Sequence, residues 1–454
     1  MRTLLDALEQ HSRTGPQPLH MPGHKRHGLD PRLPYSLDIT EIQGFDDLHH
    51  PQGILKEGMD RAAALWGAQR SFYLIGGSTV GILASVRAAC RPGDRAIVAR
   101  NCHKSVYHAL ELCGLEPHYL LPQWEGDWGI WGSVTPEILE DAFAACPQAR
   151  LVILTSPTYE GVLSDIESLT RVAHTHGALL MVDEAHGAHL ERGAVAGGAD
   201  LVVQSLHKTL PSLTQTALCH SKEELAGRVA RELNVFETSS PSYPLMASIQ
   251  LCVNWLEQEG PAARKAFARR LEELDSLSLK HLSLLCHGQD LPHGFFGHDP
   301  GKLLVRGGCT GPRLAELFRE RGLEPEMVTP HSVLLMTTLC DTDGDFARLE
   351  QVLKEVDGLV PAAPSCNLEC PVLPPRRMAP LAALNAPGED LPLEEGVGRI
   401  SGEYLWAYPP GIPFLVPGEE ITPGLVDLVR ENQEVELIST WDRLPLLRVV
   451  KSHG

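Results

Sequence analysis

The chain has 454 residues, of which 43% are hydrophobic, and this length supports two or three domains with buried cores. Its formal net charge of −19 argues against a nucleic-acid partner or an anionic membrane surface. No apolar run approaches the ~20 residues that cross a bilayer. Asp6 lies where a signal peptide would be apolar. We therefore expect a cytoplasmic protein.

The first segment, residues 1–57, combines a short amphipathic helix with a proline- and glycine-rich arm. Strands and helices then alternate over residues 58–275, which predicts a mostly parallel sheet with helices on both faces. A smaller α/β domain follows at 276–365, and a proline-rich stretch leads into a C-terminal segment at 366–454.

The eleven cysteines are scattered without Cys-x-x-Cys pairs, which is typical of reduced thiols. No Cys/His cluster has the spacing of zinc ligands, so we expect no metal site.

Three polar clusters follow predicted strands: Gly76–Thr79, Asp183–His186 and Ser205–Lys208. Ligands of parallel sheets bind at the carboxyl ends of strands, so all three clusters are candidates for one site. In the first cluster, the start of a helix with Ser78 and Thr79 favours a phosphate. The alternative is that these hydroxyl groups only cap the helix.

Asp183 ends an apolar strand, and Lys208 follows the next strand along the chain. Pyridoxal phosphate (PLP) needs such a pair, because an acid keeps its ring nitrogen protonated and a lysine forms the Schiff base. The alternatives are an acid that caps a loop and an ordinary surface lysine. The letters Asp-Glu-Ala-His also occur in nucleic-acid helicases, but no Walker A loop accompanies them here.

His103 follows the predicted strand at 95–99 and could stack on a flat cofactor. The alternative is a histidine at a helix start that bonds to the backbone.

Several motifs together resemble the ornithine/lysine/arginine decarboxylases of PLP fold type I. They occur in the family's order along nearly the whole chain: His20-Met21-Pro22-Gly23-His24-Lys25, Asp38-Ile39-Thr40-Glu41, Gly77-Ser78-Thr79, His103-Lys104-Ser105, Ser156-Pro157-Thr158-Tyr159-Glu160-Gly161, Asp183-Glu184-Ala185-His186-Gly187, Ser205-Leu206-His207-Lys208-Thr209 and Glu403…Tyr408-Pro409-Pro410-Gly411-Ile412-Pro413. The larger family members begin with a flavodoxin-like wing domain, so this chain is similar to the short form that lacks it.

The resemblance implies an aspartate-aminotransferase-like major domain, a smaller C-terminal α/β domain and a site for PLP. Lys208 would form the Schiff base, Asp183 would pair with the ring nitrogen, and His103 would stack on the ring. His186 would lie near the ring. The remaining cofactor residues would hold the phosphate: Gly77, Ser78, Thr79, Ser205, His207 and, from the neighbouring subunit of a homodimer, Ser239.

The implied reaction is decarboxylation of a basic amino acid, with arginine ranked before lysine and ornithine. The product would be agmatine, cadaverine or putrescine, with carbon dioxide. Acids that could bind the cationic tail of the substrate include Glu41, Asp46 and Glu403, although each could equally be solvated or structural. Two other functions stay open: an aminotransferase or aldolase, for which Arg306 could grip the α-carboxylate, and a PLP-binding regulator without turnover.

Overall fold

The computed structural model describes residues 2–364, 367–408, 411–431 and 436–451. The chain forms two compact units, each built from separate segments. The first unit comprises Met1–Cys90, Ile166–Phe267 and Thr338–Cys340. The second comprises Arg91–Asp165, Ala268–Thr337 and Asp341–Gly454. Pro409 and Pro410 of the late proline motif lie outside the described residues.

The helices of the described chain alternate with its strands over most of its length. They are Leu4–Thr14, Ile54–Trp66, Gly77–Ala89, Lys104–Cys113, Pro136–Ala145, Ile166–Thr175, Leu206–Thr209, Glu223–Phe236, Tyr243–Gln258, Gly260–Asp275, Gly311–Arg319, Asp343–Asp357, Pro380–Asn385 and Pro423–Glu431. Along the described ranges, none of these helices combines the length and apolar character that crossing a membrane requires.

The strands are short, with two to seven residues each. They are Arg70–Leu74, Arg95–Ala99, Glu116–Leu120, Trp124–Glu125, Ile130–Trp131, Ala149–Thr155, Val162–Leu163, Leu179–Asp183, Leu201–Ser205, Ala217–Ser221, Ser283–Leu284, Gly297–His298, Lys302–Arg306, Met327–Val328, Val333–Met336, Gly388–Pro392, Leu405–Tyr408, Ile412–Leu415, Glu436–Ser439 and Leu446–Val450.

The first unit contains four neighbouring strands. Arg70–Leu74 pairs with Ala217–Ser221, which pairs with Leu201–Ser205, and both of these pairings are antiparallel. Leu201–Ser205 then pairs in parallel with Leu179–Asp183, and Asp183 lies opposite Val203. Both of the last two strands therefore end at the same edge, which brings the second and third polar clusters together.

The helix Gly77–Ala89 lies directly against this sheet because Gly81 has no side chain. A Cβ atom at Gly81 would lie 2.6 Å from Cδ1 of Leu74 and 2.9 Å from Cγ1 of Val203, which is closer than real Cβ contacts. Both of these partners are fully buried. The close contact fixes the height of the helix, and hence of its first turn, above the strands.

One strand of the first unit was not predicted from the sequence. Ala217–Ser221 is fully buried although it contains Cys219, His220 and Ser221, so its polar residues hid the apolar run that indicates a strand. His220 is accommodated because its Nδ1 bonds to Oγ of Ser71 at 2.7 Å and its Nε2 to Oε1 of Gln204 at 3.0 Å. Satisfied hydrogen bonds of this kind offset the cost of burying a polar ring.

The second unit contains three parallel strands, with Arg95–Ala99 paired to Glu116–Leu120 on one side and to Ala149–Thr155 on the other. The predicted smaller domain has an antiparallel sheet in the order Ser283–Leu284, Lys302–Arg306, Val333–Met336 and Met327–Val328. Its core includes Phe318 and Val352, both fully buried.

A buried ion pair connects Arg100, one residue after the strand Arg95–Ala99, to Glu419 in the C-terminal segment of the same unit. The Nη2–Oε2 distance is 2.9 Å, and the two side chains are only 4% and 2% exposed. Glu419 also accepts the N–H of Val416 at 2.8 Å. Removal of one partner from such a pair leaves the other charge buried and uncompensated, which is strongly destabilising.

We expect Glu419→Gln to lower the free energy of unfolding by about 3 kcal/mol, since Arg100 would lose its countercharge in a buried site. Urea unfolding measures the change. Glu316→Gln is the matched control, because Glu316 pairs with Arg313 at 2.7 Å on an exposed surface and should cost almost nothing. Equal stability of the two variants would contradict the prediction.

Candidate active site

Asp183 is a buried carboxylate at the end of an apolar strand. Asp183 is only 3% exposed, and its Oδ1 accepts a hydrogen bond from the N–H of Ala185 at 3.1 Å. Burial raises the pKa of Asp183, while the positive charge of Lys208 and the Ala185 hydrogen bond act in the opposite direction. The charge of Lys208 thus favours the ionised form of Asp183, and the buried acid gains from any cationic group placed beside it.

Lys208 lies on the short helix Leu206–Thr209, which begins directly after the strand Leu201–Ser205. The fully buried Leu206 anchors this turn. Nζ of Lys208 lies 3.0 Å from Nε2 of His186, a buried side chain three residues after Asp183. If the ammonium donates this bond, then Nε2 carries no proton and the ring proton lies on Nδ1.

Ser205 and Thr209 flank this turn with buried hydroxyl groups. Among the described residues, neither Oγ of Ser205 nor Oγ1 of Thr209 has a hydrogen-bond partner, and the residues are 0% and 3% exposed. A buried hydroxyl group without a partner is uncommon in proteins and requires an explanation. For Ser205, the predicted contact with the cofactor phosphate would supply the missing hydrogen-bond partner. Thr209 was not predicted, and its neighbouring position to Lys208 was the only sequence signal.

The loop at Gly76–Gly77 is shaped to accept an anion. The helix begins at Gly77, its N-cap is Gly76, and no side chain caps it. The alternative in which Ser78 or Thr79 caps the helix is therefore wrong. Gly77 has φ of +79°, and a Cβ atom there would meet no heavy atom within 4 Å, so the space beside the first turn is open. The N–H of Gly77 donates to the carbonyl oxygen of Gln215 at 3.0 Å, and the N–H groups that follow it in the first helical turn favour a phosphate in such a space.

The ring of His207 is held by a hydrogen bond within the protein. Its Nδ1 donates to the carbonyl oxygen of Thr216 at 2.9 Å. Burial lowers the pKa of His207, and this favours the neutral ring. A neutral ring that donates from Nδ1 has no second N–H, so a phosphate contact would require the ring to take up a proton. The predicted phosphate role of His207 stays a prediction.

Ser239 is exposed in the segment that follows the helix Glu223–Phe236. His103 lies in the second unit, where its Nδ1 accepts the N–H of Ser105 at 3.2 Å and caps the helix Lys104–Cys113. The backbone contact expected of a helix-start histidine is therefore present. The predicted stacking of His103 on the cofactor ring and the predicted contact of Ser239 with a partner's phosphate stay predictions.

Two of the three candidate acids for the substrate tail already have hydrogen-bond donors. Asp46 accepts four backbone N–H groups at 2.8–3.0 Å, from Asp47, Gln52, Gly53 and Leu55. Glu403 is fully buried and accepts the N–H groups of Trp441 at 3.2 Å and Arg448 at 2.5 Å, and burial raises its pKa. Glu41 is exposed.

The first unit thus combines a buried acid, a lysine beside a buried histidine, an unpartnered serine hydroxyl group and an open helix N-terminus. Each of these fits one part of PLP: the ring nitrogen, the aldehyde and the phosphate. A PLP-dependent enzyme of fold type I needs such an arrangement, and comparison with known proteins confirms the predicted fold class and cofactor.

Comparison with known proteins gives the family. A family model described as "Orn/Lys/Arg decarboxylase, major domain" matches residues 3–277, and "Orn/Lys/Arg decarboxylase, C-terminal domain" matches residues 368–436. The chain belongs to the Orn/Lys/Arg decarboxylase family and is a decarboxylase, as predicted. The division into four segments, at 1–57, 58–275, 276–365 and 366–454, stays a prediction.

Individual relatives match almost the whole chain. Arginine decarboxylases from Bacillus anthracis and Bacillus subtilis are each 32% identical, over 479 and 477 residues, and each match covers 99% of this chain and 97% of the relative. The crystal structure of a lysine decarboxylase from Francisella novicida superposes with a TM-score of 0.84 at 18% identity, covering 99% of this chain and 81% of that one. At that identity, the structural likeness shows the fold alone.

We expect Asp46→Asn to destabilise the protein by about 1 kcal/mol at neutral pH, because Asp46 fastens the start of the helix Ile54–Trp66. Asparagine tolerates the left-handed backbone of Asp46, whose φ is +67°, so strain is not added. Burial alone would raise the pKa of Asp46, but the backbone N–H groups outweigh it and lower the pKa.

A carboxyl group with a lowered pKa stabilises the fold above its unfolded pKa, and that contribution is lost as the pH falls through the folded value. The difference between wild type and Asp46→Asn should therefore shrink below about pH 4. Denaturant unfolding at a series of pH values measures it. A difference that persists unchanged at low pH would assign the effect to something other than the charge.

Proposed function

We propose that the protein decarboxylates arginine to agmatine and carbon dioxide, with lysine and ornithine as poorer substrates, in the cytoplasm and as a homodimer. The observation that carries the chemistry is the approach of Nζ of Lys208 to Nε2 of His186, at 3.0 Å, near the buried Asp183. The choice of arginine rests on the two bacterial relatives that are named arginine decarboxylases.

Bound PLP supplies an electron sink for the electron pair that stays behind when carbon dioxide leaves. Asp183 would stabilise a positive charge at the ring nitrogen, because a carboxylate withdrawn from water interacts strongly with a neighbouring cation. Lys208 and His186 lie close enough to exchange a proton between Nζ and Nε2. The same pair can therefore deliver the proton that Cα needs once the carboxylate has left.

An aminotransferase function is less well supported, because Arg306 is engaged elsewhere. Its guanidinium group lies over the ring of Trp128, 4.5 Å from the centroid, and it donates to the carbonyl oxygen of Asp127. An arginine held in this way is poorly placed to bind the α-carboxylate of a substrate. Without an arginine partner the substrate carboxylate would be poorly stabilised, and this favours its departure as carbon dioxide.

Glu41 is the acid that we propose binds the guanidinium group of the substrate. The carboxylates of Asp46 and Glu403 are occupied by backbone N–H groups, whereas Glu41 is exposed. Its charge lies near the hydroxyl group of Tyr243, whose pKa is raised first by burial and then by nearby acids, including Glu41. A carboxylate and a guanidinium group form strong charge-assisted hydrogen bonds.

A homodimer is supported by exposed apolar side chains in the N-terminal arm. Leu19, Met21 and Leu29 are 86%, 66% and 98% exposed. Such side chains in one short segment are typical of a surface that another chain covers. The exposed position of Ser239 is compatible with the proposed contact to a partner's phosphate.

We expect Lys208→Ala to abolish turnover and the visible absorption band of the lysine-bound cofactor, since no other amine would take its place. Absorbance spectra and an assay for carbon dioxide measure both. Lys222→Ala is the matched control, because Lys222 also follows a buried strand of the first unit and should leave both properties intact. Decarboxylation by Lys208→Ala at the wild-type rate would overturn the assignment.

For the substrate, we expect release of agmatine from arginine to exceed release of cadaverine or putrescine in a screen of the three amino acids with added PLP. Glu41→Gln should raise KM for arginine about 10-fold, the usual cost of one lost charged hydrogen bond. Glu57→Gln changes another exposed acid of the same unit and serves as the control. A keto-acid product without carbon dioxide would favour an aminotransferase, and a cofactor spectrum without any product would favour a regulator.

A further inference from the structure

Glu237 is a buried acid that no predicted role uses. It is the residue directly after the helix Glu223–Phe236, and it is 9% exposed. Its Oε2 accepts the N–H groups of Ile75 at 3.1 Å and Gly76 at 3.0 Å, and its Oε1 accepts the N–H of Thr238 at 3.0 Å. One carboxylate therefore holds two separate stretches of backbone.

The first stretch leads into the loop that we assign to the phosphate. Ile75 and Gly76 connect the strand Arg70–Leu74 to the helix that begins at Gly77. A Cβ atom at Gly76 would lie 3.0 Å from Oε1 of Glu237 and 2.6 Å from Cγ2 of Val80, so the close approach depends on glycine at this position. The backbone that leads into the first helical turn is thus held by the carboxylate.

The second stretch leads to Ser239, the residue proposed to enter the partner's site. Thr238 is held on both sides of its Cα atom, because its N–H donates to Glu237 and its carbonyl oxygen accepts a hydrogen bond from Nε2 of His49 at 2.8 Å. Its hydroxyl oxygen accepts the N–H of Ser240 at 3.1 Å. Ser239 therefore projects from a fixed base although it is itself exposed.

We propose that Glu237 is a positioning residue for two phosphate sites at once: the site of its own subunit, through Ile75 and Gly76, and the site of the partner subunit, through Thr238 and Ser239. The proposal rests on the PLP-dependent homodimer proposed above. Three N–H groups directed at one buried carboxylate form charge-assisted hydrogen bonds, which are stronger than neutral ones. An amide at this position would direct one N–H group at another donor.

The first experiment compares PLP with pyridoxal, which has the same ring and aldehyde but no phosphate. We expect Glu237→Gln to raise the Kd for PLP about 10-fold or more and to change the Kd for pyridoxal less than about twofold. Cofactor titration of the stripped enzyme, followed by absorbance, measures both. Glu237→Asp keeps the charge but draws it back by one methylene group, and it should shift the same ratio where the amide variant does not fold.

Asp357→Asn is the matched control in the second unit. Asp357 is 8% exposed and also accepts three backbone N–H groups, those of Lys280 at 3.0 Å, His281 at 2.7 Å and Leu282 at 2.8 Å. Its loss should lower stability without changing the ratio of the two Kd values. An equal loss of PLP and pyridoxal binding in Glu237→Gln would overturn the proposal, because it would indicate general damage.

The second experiment isolates the effect on the partner. Mixed dimers combine a wild-type subunit with either Lys208→Ala or Lys208→Ala plus Glu237→Gln, so that only the wild-type subunit has the lysine. We expect the double variant to weaken PLP binding at the wild-type lysine, and identical affinity in the two mixed dimers would overturn the partner half of the proposal. Wild-type enzyme that neither binds PLP nor releases carbon dioxide would instead refute the proposed function itself.

Discussion

The burial of one negative charge is the constraint on which the rest of the site depends. Asp183 ends a strand whose last four residues are buried, so its carboxylate has lost most of its water. Burial raises its pKa, and the nearby Lys208 opposes that rise. An acid in this position is stable as an anion only beside a cation. The sheet pairing meets that need, because it places the strand before Lys208 directly alongside.

The sequence was sufficient to predict most elements and to select candidate site residues whose roles stay predictions, because periodic apolar segments and the polar residues that follow strands are visible locally. Asp183, Ser205 and Lys208 each follow an apolar run, and that is where the structure has them. The strand Ala217–Ser221 could not be found in this way, since it contains a cysteine, a histidine and a serine, and the histidine is buried by means of hydrogen bonds to residues distant in sequence.

The same limit applies to acids whose roles are decided by distant partners. Nothing in the sequence shows that the carboxylates of Asp46 and Glu403 are occupied, but each accepts hydrogen bonds from backbone N–H groups. The donors to Glu403 are Trp441 and Arg448, which are distant from it in sequence. Glu237 was not singled out at all, because nothing adjacent to it indicates burial or contact with the loop at Gly76. Thr209 entered only as part of the motif around Lys208, without a role of its own. Only the folded chain shows which carboxylates still have lone pairs to offer a ligand.

Gly81 has a consequence for how this enzyme tolerates change. The helix Gly77–Ala89 rests on Leu74 and Val203 with no room for even a methyl group at Gly81. Alanine usually strengthens a helix, but at this position it would push the helix, including its first turn, away from the strand that precedes Lys208. If that first turn binds the phosphate as proposed, a mutation chosen for rigidity would lower cofactor occupancy without changing a residue that touches the cofactor.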